Sequence, residues 1–168
     1  FPVALPPLVT IKGSGACTAI PAVVTKYPTV RTYYLSIQDL YIQPSLINSP
    51  YIAIDFRNVT QAYIKNVVIP CSTTNYQTGL LLAYTSQYAL VENLYACTTV
   101  DAVELYSGAN QNTFIGGKLS SPIGFNIINS NGTSAFGTSL EQGPAMTFVN
   151  RVGQTLGTTM QGVRTETS

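Results

Sequence analysis

The chain has 168 residues, 45% of them hydrophobic and only 9% charged, against about 25% charged for an average soluble protein. A net charge of +1 with no block of Lys or Arg leaves out the electrostatic footprint of a nucleic-acid binder. The absence of His removes the commonest metal ligand and the commonest general base near neutral pH, which excludes most metal enzymes and serine–histidine hydrolases. No cofactor is expected, and no apolar run reaches the length of a membrane span.

The chain opens on Phe1-Pro2-Val3 without a basic leader or an initiator Met, as if processed or cut from something longer. Residues 1–31 read as an irregular N-terminal segment with a first strand. Pro2, Pro6 and Pro7 disfavour ladder pairing before Leu8-Val9-Thr10-Ile11 alternates as that strand. Lys12-Gly13-Ser14-Gly15 reads as a turn, and Pro21 to Val30 as a long connection. Cys17 has no obvious partner.

From residue 32 to 168 one short motif recurs, a small residue followed by in-out-in alternation. Its copies are Ala53-Ile54-Asp55-Phe56, Gly79-Leu80-Leu81-Leu82, Ala102-Val103-Glu104-Leu105, Gly124-Phe125-Asn126-Ile127 and Ala145-Met146-Thr147-Phe148. The spacings from copy to copy are 26, 23, 22 and 21 residues, the period of a repeat protein. Strand residues alternate faces, so Ile54/Phe56, Leu80/Leu82, Val103/Leu105, Phe125/Ile127 and Met146/Phe148 point inward.

A second strand follows in each unit and carries its own corner. Ile37 to Ile42, Ile64 to Ile69 and Val91 to Ala96 superpose without a gap, with Asp39, Asn66 and Asn93 at one place. Asn and Asp tolerate the left-handed backbone, and Gly117 and Gly162 recur near that place in later units. Just past the first strand stand Asn58, Ser107, Asn129 and Asn150, with Tyr84 the exception. Equivalent amides at such a corner would bond to one another from coil to coil inside it. Ser45 to Pro50, Pro70 to Thr78 and Gly108 to Asn112 read as loops.

A unit this small cannot close its own core and must stack on its neighbours. The pattern predicts an all-β fold, a right-handed parallel β-helix of about six coils. Leucine-rich repeats would need a Leu-x-x-Leu-x-Leu pattern, and a sandwich would need hairpin turns; neither is present. Cys71 and Cys97 lie one repeat apart, within reach of a disulfide across stacked strands, although free Cys as a small apolar filler is the stronger reading. Asn58-Val59-Thr60 and Asn131-Gly132-Thr133 match the common glycosylation pattern.

Val9-Thr10-Ile11-Lys12-Gly13-Ser14-Gly15, Leu35 to Leu40 and Ala53 to Thr60 with Ile64 to Val67 together resemble the pectate-lyase-like β-helix family. Asn110 to Lys118 and Gly124 to Ile127 resemble the version found in bacteriophage tailspikes and tail fibres. The resemblance implies a homotrimer that recognises or cleaves surface polysaccharide, within a larger spike on a virion tail or surface appendage, or otherwise extracellular. The calcium-binding aspartates and the catalytic basic residue of pectate lyases have no counterpart here, so the resemblance does not extend to pectate cleavage.

The outward residues of the first strand make two columns, Asp55, Leu81, Glu104, Asn126, Thr147 and Arg57, Ala83, Tyr106, Ile128, Val149. Asp55, Arg57, Glu104, Tyr106 and Asn126 are the candidate ligand-binding residues. If the face is catalytic, Glu104 would be the general acid and Asp55 or Asp101 the base. Asp55 and Glu104 stand two coils apart, about 9 to 10 Å, near the upper limit for an inverting glycosidase. Passive glycan binding is therefore the leading expectation, a purely structural fibre module the second, and a polysaccharide hydrolase or lyase the third. Leu81, Ile128 and Val149 are apolar where a lone solenoid would expose them, the expected trimer contacts.

Overall fold

The computed structural model describes residues 3–14, 19–25, 28–43, 51–71, 76–141 and 157–166. Their regular structure is all strand, and every pairing is parallel. The first sheet holds β1 (Val3–Leu5), β4 (Val23–Thr25), β8 (Ile52–Arg57), β12 (Thr78–Ala83), β15 (Asp101–Tyr106) and β18 (Ile123–Ile128) in that spatial order. The second holds β2 (Thr10–Lys12), β6 (Ser36–Gln38), β10 (Tyr63–Lys65), β13 (Leu90–Glu92), β16 (Thr113–Ile115), β19 (Ser134–Phe136) and β21 (Thr159–Gln161). The third holds β3 (Ala19–Ile20), β7 (Tyr41–Ile42), β11 (Val68–Ile69), β14 (Tyr95–Cys97), β17 (Lys118–Ser120), β20 (Ser139–Glu141) and β22 (Arg164–Glu166). A short pair, β5 (Thr32–Tyr33) and β9 (Val59–Thr60), lies in the connection between the first two sheets.

The chain visits the three sheets in rotation, so the molecule is a parallel β-solenoid. Six strands in the first sheet and seven in each of the others are close to the expected six coils. Strands from the first 25 residues already join all three sheets. Val23–Thr25, expected in a connection, is one of them and pairs with Ile54 and Asp55.

The expected interior register holds wherever it is described. Leu80 stands opposite Ile54 and Val103, and Val103 opposite Phe125. Ile54, Leu80 and Val103 are fully buried and Phe125 nearly so. Each such side chain contributes about 1.5 to 3 kcal/mol on leaving water, and successive coils share that gain because each covers the next. The fifth copy of the motif, Asn150 and Val149 lie outside the described residues.

The small residue of the motif also faces inward, so the strand bends there instead of alternating strictly. A Cβ added to Gly79 would meet the Ala102 carbonyl at 2.6 Å, with Ala96 and Ile69 next. That position touches the third sheet; at Gly79 even alanine would clash, whereas the equivalent Ala53 and Ala102 are accommodated, fully buried.

The corner between the second and third sheets puts Asp39, Asn66 and Asn93 at φ of 53°, 50° and 52°. Asn93 Nδ2 donates to Asn66 Oδ1 at 3.2 Å, and Asn66 Nδ2 to Asp39 Oδ1 at 2.9 Å. The amide ladder therefore runs at this exposed corner, not inside the one carrying Asn58. Gly116, one residue before the expected Gly117, takes the next left-handed position of this corner, where the side-chain ladder ends. Gly117 has its own constraint, since a Cβ there would come 2.4 Å from the Leu94 carbonyl.

The corner after the first sheet is plugged by buried polar side chains. Ser86 Oγ donates towards the Phe56 and Ala83 carbonyls and accepts from Val59 N. Asn112, with no exposed surface, accepts from Ala89 N and donates to the Ser86 and Ala109 carbonyls. Cys71 and Cys97 form a disulfide with their Cα atoms 4.9 Å apart. This corrects the apolar-filler reading; stacking of adjacent coils brings the two close, although Ile69 pairs with Ala96 and the cysteines are therefore offset by one residue in register.

Candidate functional site

The outward face of β8, β12, β15 and β18 follows from the bend at the small residue. Two inward residues in a row, Ala102 and Val103, separate Asp101 from Glu104 and leave both pointing out. In the paired register Asp55 lies opposite Leu81, Leu81 opposite Glu104, and Glu104 opposite Asn126. The adjacent column runs Arg57, Ala83, Tyr106, Ile128.

Outward does not mean exposed. Asp55, Leu81 and Asn126 are only 6%, 8% and 7% exposed. Arg57 lies over Asp55, with Nε donating to Oδ1 at 2.9 Å and an Nη to Oδ2 at 2.6 Å. The fork is that of a bidentate guanidinium–carboxylate pair, and the hydrogen bond to Asp55 raises the Arg57 pKa. Asn126 Nδ2 donates to Asp101 Oδ2 at 3.2 Å. Leu81, expected at a chain-to-chain contact, is covered within the single chain, and Ile128 is half-buried.

Besides the Arg57 side chain, which stays 40% exposed over Asp55, two groups of the face remain open to a ligand. Glu104 is half-buried, and burial, reinforced by the charge of Asp101, pushes its carboxyl above the usual carboxylate range. Tyr106 is 40% exposed and meets Tyr84, 45% exposed, edge to face with ring centroids 6.2 Å apart. Tyr84 also acts electrostatically on Arg57, which places it at the same cluster.

Tyr84 is the residue that sequence reasoning missed. It takes the corner position of Asn58, Ser107 and Asn129 and shares their left-handed backbone, at φ 61°. A bulky aromatic at a place that favours Asn or Gly was the available signal.

The candidate residues thus form three groups. Asp55 pairs with Arg57; Asp101, Glu104 and Asn126 form a second group; Tyr106 and Tyr84 form the third, at the lateral edge of the sheet where β15 and β12 end. Leu81 stands between Asp55 and Glu104, so the carboxylate that influences Glu104 is Asp101. Among the described residues, no group of three His, Cys, Asp or Glu side chains could hold a metal ion, and no helix is long and apolar enough to cross a membrane. Comparison with protein-family models, with curated proteins and with solved structures finds no match.

Proposed function

We propose that this solenoid is a glycan-recognition module of the spike or fibre type, binding surface polysaccharide through the edge of its first sheet. The observation that carries this reading is the exposed Tyr84–Tyr106 pair beside Arg57 and Glu104. Aromatic rings offer an apolar surface to a sugar face, and a few fixed polar groups orient the hydroxyls. The ladder on which they stand is rigid, so little protein entropy is lost on binding. A repetitive polymer suits a repetitive scaffold.

In this reading the chain works as a homotrimer on a virion or another extracellular appendage. The Cys71–Cys97 bond supports an oxidising location. One apolar surface open to neighbouring copies is that of Leu8, Val30, Tyr33 and Tyr34, each between 41% and 74% exposed. Light scattering of the wild type and of Tyr34→Glu tests the contact: a trimer that dissociates on substitution supports it, and a wild-type monomer removes it.

Cleavage of the glycan is a second reading, with one observation of its own. A half-buried Glu104 with a raised pKa beside the buried carboxylate of Asp101 is the pairing a general acid and its partner need. Release of reducing ends from a bound polysaccharide, abolished in Glu104→Gln, would favour cleavage. Binding without release, unchanged in Glu104→Gln, favours recognition alone.

A further inference from the structure

From Asn58 onward, the connection from the first to the second sheet passes twice through the left-handed backbone region. Its second passage makes a column of its own: Leu8, Tyr34, Gln61, Tyr88 and Gln111, at φ between 57° and 61°, followed by Gly132 and Gly157. Backbone bonds lock successive levels, Tyr88 N donating to the Asn110 carbonyl at 3.2 Å and Gln111 N to the Asn131 carbonyl at 2.7 Å. Five side chains project along this column, and then two glycines project nothing.

Where the side chains stop, a groove of about 510 Å³ opens, lined by Gln87, Tyr88, Asn110, Gln111 and Asn131 together with the two glycines, Gly132 and Gly157. A Cβ on Gly132 would come 3.2 Å from Gln111 Cγ and narrow it. The volume is that of a small-ligand site.

We propose that this groove is a second carbohydrate site, taking a neutral pyranose unit. Among the described residues its lining has no charged side chain and so no counter-ion for an acidic sugar. What it offers instead is side-chain amides, which both donate and accept and so match a ring of hydroxyls, and the face of Tyr88, 53% exposed. No described residue engages the Gln87 or Gln111 amides, which are open to a ligand. Asn110 Oδ1 accepts from Asn131 N at 2.8 Å, which orients the Asn110 amide.

The bulky residues at positive φ carry backbone strain that the stacked coils hold in place, so the wall is set before any ligand arrives. Tyr88 follows Tyr84 by four residues, no more than about 14 Å of chain, so the groove lies near the sheet edge. The inference shares the carbohydrate reading given above but uses none of that site's residues. An oligosaccharide long enough to touch both sites gains by linkage.

The test is a titration of the isotope-labelled chain with neutral malto-, cello- and N-acetylchito-oligosaccharides, followed by the side-chain amide signals of Gln87 and Gln111. At least one series should shift these signals in a saturable way, longer members binding more tightly. Tyr88→Ala and Gln111→Ala, each with an otherwise unchanged spectrum, should weaken binding by about tenfold, or about 1.4 kcal/mol. Gln111→Ala keeps the test alive should Tyr88→Ala not fold, and Tyr106→Ala should leave the groove signals moving.

Silence of the Gln87 and Gln111 amides towards every neutral series overturns the site, as does tighter binding there of an oligogalacturonate. If signals near Tyr106 move while the groove stays silent, only the groove proposal falls. If the groove responds and the Tyr106 region does not, the groove stands and the sheet-edge reading falls.

Discussion

Asn66 and Asn112 are both corner asparagines with two or more hydrogen bonds, yet one is exposed and the other wholly buried. Asn66 bonds Asp39 and Asn93 at the surface, where water can replace either partner. Asn112 bonds the amide of Ala89 and two carbonyls inside the coil, where nothing can.

Their substitutions should therefore diverge. Asn112→Ala strands buried backbone groups and should cost at least about 2 kcal/mol. Asn66→Gly loses exposed bonds but relieves a φ of 50°, and should stay within about 1 kcal/mol of wild type. Urea unfolding of the two variants checks the contrast; equal losses would show that the exposed ladder bears as much as the buried plug.

The interior register makes Val103→Asp the severest single change. Val103 has no exposed surface and sits between Leu80 and Phe125, so the carboxylate would be buried unpaired at a cost above about 3 kcal/mol. Circular dichroism and melting should show an unfolded or grossly destabilised chain. A soluble variant with a wild-type melt would contradict the register.

The disulfide ties together residues 26 apart in sequence. Closing a loop of that size in the unfolded chain stabilises the fold by about 3 kcal/mol. Cys71→Ser/Cys97→Ser, or mild reduction, should lower the melting temperature clearly, and mass spectrometry should find two fewer hydrogens in the oxidised protein. No difference between oxidised and reduced melts would rule out a stabilising bond.

Glu104 sets a pH dependence. Its carboxyl is raised above the ordinary value by burial and by Asp101, so the folded state holds that proton more tightly than the unfolded one. The stability this provides is present below the ordinary Glu value of about 4.3 and is lost as pH rises through the folded value. Glu104→Gln should accordingly melt higher than wild type at pH 7, with the advantage vanishing in acid. A variant less stable than wild type at pH 7 would mean that the carboxylate is stabilised rather than strained.

The solenoid was legible because its two signals are local and periodic: alternation within a strand, and the return of Ile54, Leu80, Val103 and Phe125 at each coil. The membership of the outward face was legible for the same reason. Its exposure was not, because burial of Asp55 depends on how Arg57 folds back, and burial of Leu81 on what lies over the sheet; neither follows from periodicity. The corners failed for a different reason. Propensity looks for Asn and Gly, whereas stacking holds Tyr84 and Tyr88 in the same backbone conformation at φ of 61° and 57°. Those two tyrosines are where the candidate sites lie.

The most direct test of the account is calorimetric titration of surface polysaccharides into wild type, Tyr106→Ala and Tyr84→Ala. Both rings are exposed at the sheet edge, so their removal should leave the melting temperature unchanged. A polysaccharide bound by wild type should be bound at least about tenfold more weakly by Tyr106→Ala, with a similar loss in Tyr84→Ala. Undiminished binding by both variants, or no binding by wild type across a broad glycan panel, would contradict it.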